Sequence, residues 1–182
     1  MKTLVSYKEI ESHCLTIARQ MSKDKWVPDY IVGITRGGLL PGVLLSNWFG
    51  CKMHTLSVSL RDHFDNESNI WMAEDAIGYV PIERRDEFGT MTDTAYRKNI
   101  LIVDDINDTG ATLNWIKMDW KQNCLPNNSA WDSVWDNNVR VATLYDRWSS
   151  KSELPVKYTG TFIHLDNDPG WIVFPWEKWS DE

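Results

Sequence analysis

Three carboxylates, two threonines and a glycine fall within nine residues of this chain: Asp104-Asp105-Ile106-Asn107-Asp108-Thr109-Gly110-Ala111-Thr112. Adjacent carboxylates accept hydrogen bonds from sugar hydroxyls or hold a hard cation. A turn that opens a helix aims backbone N–H groups outward at the positive end of the helix dipole, and hydroxyls such as those of Thr109 and Thr112 extend that set; the result is a phosphate site. A ligand with hydroxyls at one end and phosphate at the other is a ribose phosphate. Read singly, each residue has a plainer role, since Asp108 or Thr109 would serve as a helix cap. The order of the residues favours the ligand. Neither G-x-x-x-x-G-K-[ST] nor G-x-G-x-x-G occurs, so neither common nucleotide-binding pattern competes.

Further groups could complete such a site. In Thr35-Arg36-Gly37-Gly38 the paired glycines let backbone approach a ligand closely, and Arg36 offers forked donors for phosphate oxygens, although the same residues suit an ordinary strand-to-helix turn. Gly170-Trp171-Ile172-Val173-Phe174-Pro175-Trp176-Glu177 puts an aromatic just after a glycine turn, either for packing or for stacking on a base. Thr143-Leu144-Tyr145-Asp146-Arg147 ends a strand-like run in a cation. Arg61, Arg84, Arg85 and Arg97 read as solvated charges available to an anion, and His13, His54, His63 and His164 have no metal-ligand or triad spacing and are taken as structural.

The elements that must position these residues follow from periodicity. Ile100–Val103 is a short apolar run that suits a buried strand, with the paired carboxylates at its carboxyl end and a helix running from Asp108 to about Gln122. Ser6-x-x-Glu9 is a capping box for a helix over residues 7–22, with Ile10, Cys14, Ile17, Ala18 and Met21 on one face. Tyr30–Ile34 reads as a strand, Pro41 starts a helix to Phe49, and Met53–Leu60 reads as a further strand. Residues 61–98 form a long, mostly polar stretch of the kind that makes a lid, and residues 124–138 a surface excursion. Val139–Tyr145 and Phe162–Leu165 complete the strands. Alternating strands and helices predict an α/β fold with a mainly parallel, twisted sheet and helices on both faces, whose ligands bind beyond the carboxyl ends of the strands.

The 182 residues are expected to form one domain around a single large core. A net charge of −7 gives no general reason to bind nucleic acid or anionic membrane, so an anionic ligand must be held by local donors and metal. Cys14, Cys51 and Cys124 make no C-x-x-C pair, which predicts free thiols in a reducing cytoplasm. No run approaches the ~18 apolar residues of a membrane span. The eleven tryptophans are assigned mainly to the core or to an interface between subunits.

The segment 99–112 closely resembles the signature of the type I phosphoribosyltransferases: an apolar strand, two acidic residues, two variable residues, then D-T-G and a threonine. These enzymes use 5-phosphoribosyl-1-pyrophosphate (PRPP). The resemblance implies that Asp104 and Asp105 hold the ribose hydroxyls and Mg²⁺, that Asp108, Thr109, Gly110, Ala111 and Thr112 wrap the 5′-phosphate, and that Asp108 lies near purine N7 as the catalytic acid or base. Arg36, Gly37 and Gly38 resemble the family's pyrophosphate loop, in which the peptide at the Arg36–Gly37 position is often cis. The C-terminal run resembles the W-I-x-x-P-W-D/E ending of xanthine-guanine phosphoribosyltransferases. It implies a base-binding hood over 146–182, with Trp171 stacking on the purine, Ile172 presenting backbone groups, and Trp176 and Glu177 structural. Arg147 stands where the family has a lysine that donates to the purine 6-oxo oxygen, which leaves the choice among guanine, xanthine and hypoxanthine open. Residues 61–98 occupy the place of the family's flexible catalytic loop.

Carried through, the resemblance implies a Mg²⁺-dependent purine-salvage enzyme of PRPP and a 6-oxopurine, working as a dimer or tetramer. Two rivals remain. A non-catalytic PRPP sensor would usually add a DNA-binding domain and a basic face, and this chain has neither. An orotate-type enzyme would lack the Trp171 ending.

Overall fold

In the computed structural model, residues Ile100 to Val103 are completely buried, and alternate side chains enter two different cores. Ile100 and Ile102 join Val32, Ile34, Met72 and Trp120; Leu101 and Val103 join Ile10, Ile17, Met21 and Leu45. A strand buried on both faces needs no polar alternation, which is why this run is apolar throughout. The structure describes residues 2–58, 60, 66–79, 87 and 96–180, of which 178–180 are described as backbone only.

The strands are β1 (Lys2–Leu4), β2 (Tyr30–Thr35), β3 (Lys52–Ser57), β4 (Ile100–Asn107), β5 (Val139–Arg147), β6 (Val156–Ile163) and β7 (Trp171–Val173); the helices are α1 (Tyr7–Lys23), α2 (Leu39–Phe49), α3 (Ile70–Ile77) and α4 (Ala111–Asn123). Five strands form one all-parallel sheet in the order β3-β2-β4-β5-β6. Helices α1 and α2 cover one face, and α3 and α4 the other. The expected α/β architecture is the one observed.

Local chemistry sets the element ends. Ser6 Oγ accepts from Glu9 N at 3.2 Å while Ser6 N donates to Glu9 Oε2 at 2.7 Å, the reciprocal capping box that starts α1. Helix α2 begins at Leu39, two residues before Pro41; the proline still lies in the first turn, where its missing N–H costs nothing.

Three expectations need correction. Residues 61–98 contain α3, capped by the Asn69 side chain accepting from Met72 N and ended by Gly78 in the left-handed region. The lid expected for that stretch, with Arg61, Arg84, Arg85 and His63, otherwise lies largely outside the described residues; Arg97 is described and binds the Ala130 and Ser133 carbonyls. Residues 124–138 are not only a surface excursion, because a short 3-10 helix, Ser129–Ser133, buries Trp131, and Val134 follows it into the core. Strand β4 runs on to Asn107, so Asp104 and Asp105 lie within it rather than beyond its end. Its partner β2 stops pairing at Val103, whereas β5 pairs as far as Asn107. Past Val103 β4 therefore has no strand partner on its β2 side, where the Gly37–Gly38 turn lies against it, and the site lies at this end of the strand.

A second, two-stranded parallel sheet pairs β1 with β7, in register Lys2↔Trp171, Thr3↔Ile172 and Leu4↔Val173.

Candidate functional site

A cleft of about 400 Å³ lies where β4 outruns β2. Asp104 through Leu113 line it together with Thr143, Arg147, Gly170, Trp171, Ile172, Phe174 and Glu177. The sequence-derived acidic, phosphate-loop and base-side residues thus converge on one space. Arg36, Gly37 and Gly38 do not line it but adjoin it through Asp105. A Cβ built on Gly37 would stand 2.1 Å from Asp105 Oδ2, and one on Gly38 would stand 2.1 Å from the Val103 carbonyl. Only glycine lets this turn lie against β4. The cis peptide in the turn is Thr35–Arg36, one residue earlier than the Arg36–Gly37 position expected.

The carboxylates of β4 are held by their own backbone. Asp104 Oδ1 accepts from Asp105 N at 2.9 Å, and Asp105 Oδ1 accepts from Ile106 N at 2.8 Å. Burial pushes the Asp105 carboxyl up to about 6, and the negative charge of Glu177 adds to the rise, against the Ile106 N–H that favours the ionised form. Two hard oxygen ligands on adjacent residues suit Mg²⁺, which takes one or two carboxylates and completes its shell with water and substrate oxygens. Among the described residues no group of three His, Cys, Asp or Glu converges as a self-sufficient metal site. The donor set therefore fits a cation shared with a substrate.

The Asp108–Thr112 turn is shaped by its neighbours. Gly110 stands at the N-terminus of α4 with φ +85° and offers no side-chain cap; Thr109 Oγ1 accepts from Ala111 N at 3.3 Å. First-turn N–H groups left without a conventional cap make an anion site. Behind the loop, Lys151 N donates to the Thr109 carbonyl at 2.9 Å, and Asn114 bridges the Lys151 carbonyl and Glu153 N. Asn107 and Asp146 hydrogen-bond across β4 and β5 at 2.8 Å, and Ser150 donates to Asn107 at 3.0 Å.

On the base side Arg147 is the centre. Its Nε lies 2.8 Å from Asp108 Oδ1, close enough for an ion pair but off the N–H direction, so that Nε has no hydrogen-bond partner. Nη1 donates to Asp168 Oδ2, and Nη2 donates to the Gly170 carbonyl at 3.1 Å. Arg147 thus joins Asp108 to Asp168 and Gly170. Trp171 is 55% exposed at the cleft, whereas Ile172 is buried.

Sequence reasoning passed over two cleft residues, Glu177 and Thr143, and Asp168, which contacts the cleft residue Arg147. Glu177 was taken as structural, yet it lines the cleft near Asp105 while also accepting from Phe174 N at 2.8 Å. Thr143 is fully buried, and its hydroxyl has no hydrogen-bond partner; its register opposite Asp104 was not readable before the β4–β5 pairing was known. Asp168 belongs to a D-P-G turn that could have been noticed, but its partner Arg147 lies 21 residues away in sequence.

The chain is 22% identical over 188 residues to xanthine phosphoribosyltransferase 1 of Saccharomyces cerevisiae, covering 95% of this chain and 88% of that protein. A purine phosphoribosyltransferase from Pyrococcus horikoshii superposes with a TM-score of 0.60 at 21% identity, covering 97% and 95% of the two chains. The xanthine-guanine-hypoxanthine phosphoribosyltransferase of Helicobacter pylori gives 0.61 at 20% identity, covering 100% and 97%. The phosphoribosyl transferase domain model matches residues 2–179, which takes in every element that builds the cleft, and on that match the chain belongs to the phosphoribosyltransferase family.

Proposed function

We propose that this enzyme transfers the 5-phosphoribosyl group of PRPP to N9 of a 6-oxopurine, releasing pyrophosphate. The observation that carries the reading is the convergence on one cleft of Asp104–Thr112 with Arg147, Trp171 and Ile172. The first set suits a ribose 5-phosphate, the second a planar base bearing a carbonyl. The substrates named for the yeast and Helicobacter relatives point the same way.

In the reaction the C1–O bond to pyrophosphate breaks, a C1–N9 bond forms, and the base loses a proton. The α4 N-terminus with Thr109 and Thr112 holds the 5′-phosphate, and Asp104 and Asp105 accept from the ribose hydroxyls, so that part of the barrier is removed by positioning. The backbone of Gly37 and Gly38 approaches the leaving pyrophosphate, where fixed N–H dipoles offset the charge that develops. Asp108 takes up the proton of the base at N7, and Arg147 donates to the 6-oxo oxygen. Asp104 and Asp105 would hold Mg²⁺, which when bound would neutralise charge on the pyrophosphate.

The choice among guanine, xanthine and hypoxanthine is read directly by supplying PRPP and Mg²⁺ with each base, and with adenine and orotate, and measuring nucleotide and pyrophosphate. Release of pyrophosphate with at least one 6-oxopurine, and little with adenine, is expected. PRPP binding with no product from any base would replace this reading by the sensor. The free thiols Cys14, Cys51 and Cys124 favour a reducing, cytoplasmic setting. Exposed Val43 and Trp48 on α2 favour assembly of two or four copies, checked by sedimentation. No helix among the described residues is long and apolar enough to cross a membrane.

A further inference from the structure

Arg147, Asp168 and Gly170 close a ring of hydrogen bonds directly before the stacking residue Trp171. Arg147 Nη1 donates to Asp168 Oδ2, Arg147 Nη2 donates to the Gly170 carbonyl at 3.1 Å, and Gly170 N donates to Asp168 Oδ1 at 2.8 Å. Gly170 has φ +74°, a conformation that leaves both its N–H and its carbonyl turned to this ring. The guanidinium is thereby anchored at two of its three nitrogens, with its plane fixed, and its hydrogen bond, helped by that of the Gly170 N–H, holds the Asp168 carboxyl below the usual carboxylate range. A lysine could not close such a ring, because one rotatable ammonium is a point donor without a planar fork.

We propose that Asp168 is a positioning residue for base recognition: it holds Arg147 so that an N–H not used in the ring meets the 6-oxo oxygen, and through Gly170 it sets the Trp171 face against the same purine. This role rests on the proposed transfer to a 6-oxopurine. Asp108 pairs with Arg147 from the opposite side of the guanidinium. When Asp108 turns to the base, Asp168 remains as the counter-charge, so Arg147 is not left as an uncompensated half-buried cation. The arginine and the hood carboxylate therefore act as a unit.

The test is a double-mutant cycle of Asp168→Asn and Arg147→Lys in the full chain, with steady-state kinetics for a 6-oxopurine and titration calorimetry for PRPP and for the purine 5′-nucleotide. Asp168→Asn keeps the shape and removes the charge. It is expected to raise the base KM and weaken nucleotide binding about tenfold, the scale of one charge-assisted hydrogen bond. Expected alongside are a kcat within about threefold of wild type, because the residue does not touch the reacting atoms, and unchanged PRPP affinity and melting temperature. In the Arg147→Lys background the same change should cost under about twofold, since contacting residues that act together are non-additive. An unchanged base KM, an equal loss of PRPP affinity, or additive effects would overturn the role while leaving the transferase reading intact. A wild type that neither forms nor binds any purine nucleotide would overturn both.

Discussion

Asp108 belongs to the turn before α4 and lies 2.8 Å from Arg147 at the end of β5, which is where the proposed phosphate and base subsites meet. A proton-handling group in that position should matter to turnover more than to PRPP binding. Asp108→Asn is expected to keep PRPP affinity within a few-fold and to lower kcat by ~10²–10⁴, the range for removing a general acid or base. Titration calorimetry beside steady-state rates checks it, and parallel losses would remove the role. Asp105 makes a different prediction, about pH. Its carboxyl is raised to about 6 by burial and by Glu177, above the ~3.9 of an unfolded aspartate. The folded state therefore binds that proton more tightly than the unfolded chain does. The ionised group costs stability, fully above about pH 6, and the cost fades as the pH falls toward ~4. Asp105→Asn should be more stable than wild type near pH 8, with the gap closing toward about pH 4, while PRPP affinity is lost. Denaturant unfolding at the two pH values decides it. A variant less stable than wild type near pH 8 would show that the buried carboxylate is compensated.

At the scale of elements, the site is made by strands of unequal reach. β4 continues past β2, the Gly37–Gly38 turn fills the gap against Asp105 and Val103, and the β5–β6 connection supports the phosphate loop from behind. Gly110 carries this last contact. Its φ is +85°, and an added Cβ would stand 2.2 Å from Ser152 N, a backbone atom that cannot swing aside. Gly110→Ala combines left-handed strain of ~1–2 kcal/mol with a displaced loop. A fall of at least about tenfold in PRPP affinity follows, with base-side nucleotide contacts spared; unchanged PRPP titration would mean that the loop adapts freely. The elements around this loop were legible because their signals are local: the capping box at Ser6, the apolar run at Ile100 and the glycine turn after Thr35 each declare themselves within a few residues. Helix α3 also carried local signals, Asn69 before it and Gly78 after it, but eight residues inside a long polar stretch were too few for its period to stand out. The burial of Trp131 was not legible, because it depends on Trp120 and Trp135 packing around it. At the site, the residues of the contiguous signature could be read, and those joined across the fold, such as Asp168 to Arg147 and Thr143 beside Asp104, could not.

For the molecule as a whole, the base side of the cleft is tied to the opposite end of the chain. β7 begins with Trp171, and its only strand partner among the described residues is β1. Three residues in each strand give no periodicity to read, and their pairing spans most of the sequence, so loop closure is costly and must be offset by contacts elsewhere. Those contacts are visible: Thr3 Oγ1 donates to the Pro169 carbonyl at 2.8 Å, Val5 N donates to the Val173 carbonyl at 3.0 Å, and buried Val5, Ile172 and Phe174 share the core with α1. The five-stranded sheet, by contrast, holds Asp104–Thr112 without help from β1. The two halves of the ligand should therefore respond separately to damage at the N-terminus. Removing residues 1–4 spares Val5 and the Ser6 cap but deletes the β1 ladder and the Thr3 bond. The base KM is expected to rise about tenfold, with PRPP affinity within about twofold of wild type. Thr3→Val, which deletes one hydrogen bond and keeps the strand, should move the base KM in the same direction by less. If the truncation weakens PRPP and base together, the hood and the phosphate cradle are one cooperative unit, and the division of labour along the cleft is wrong.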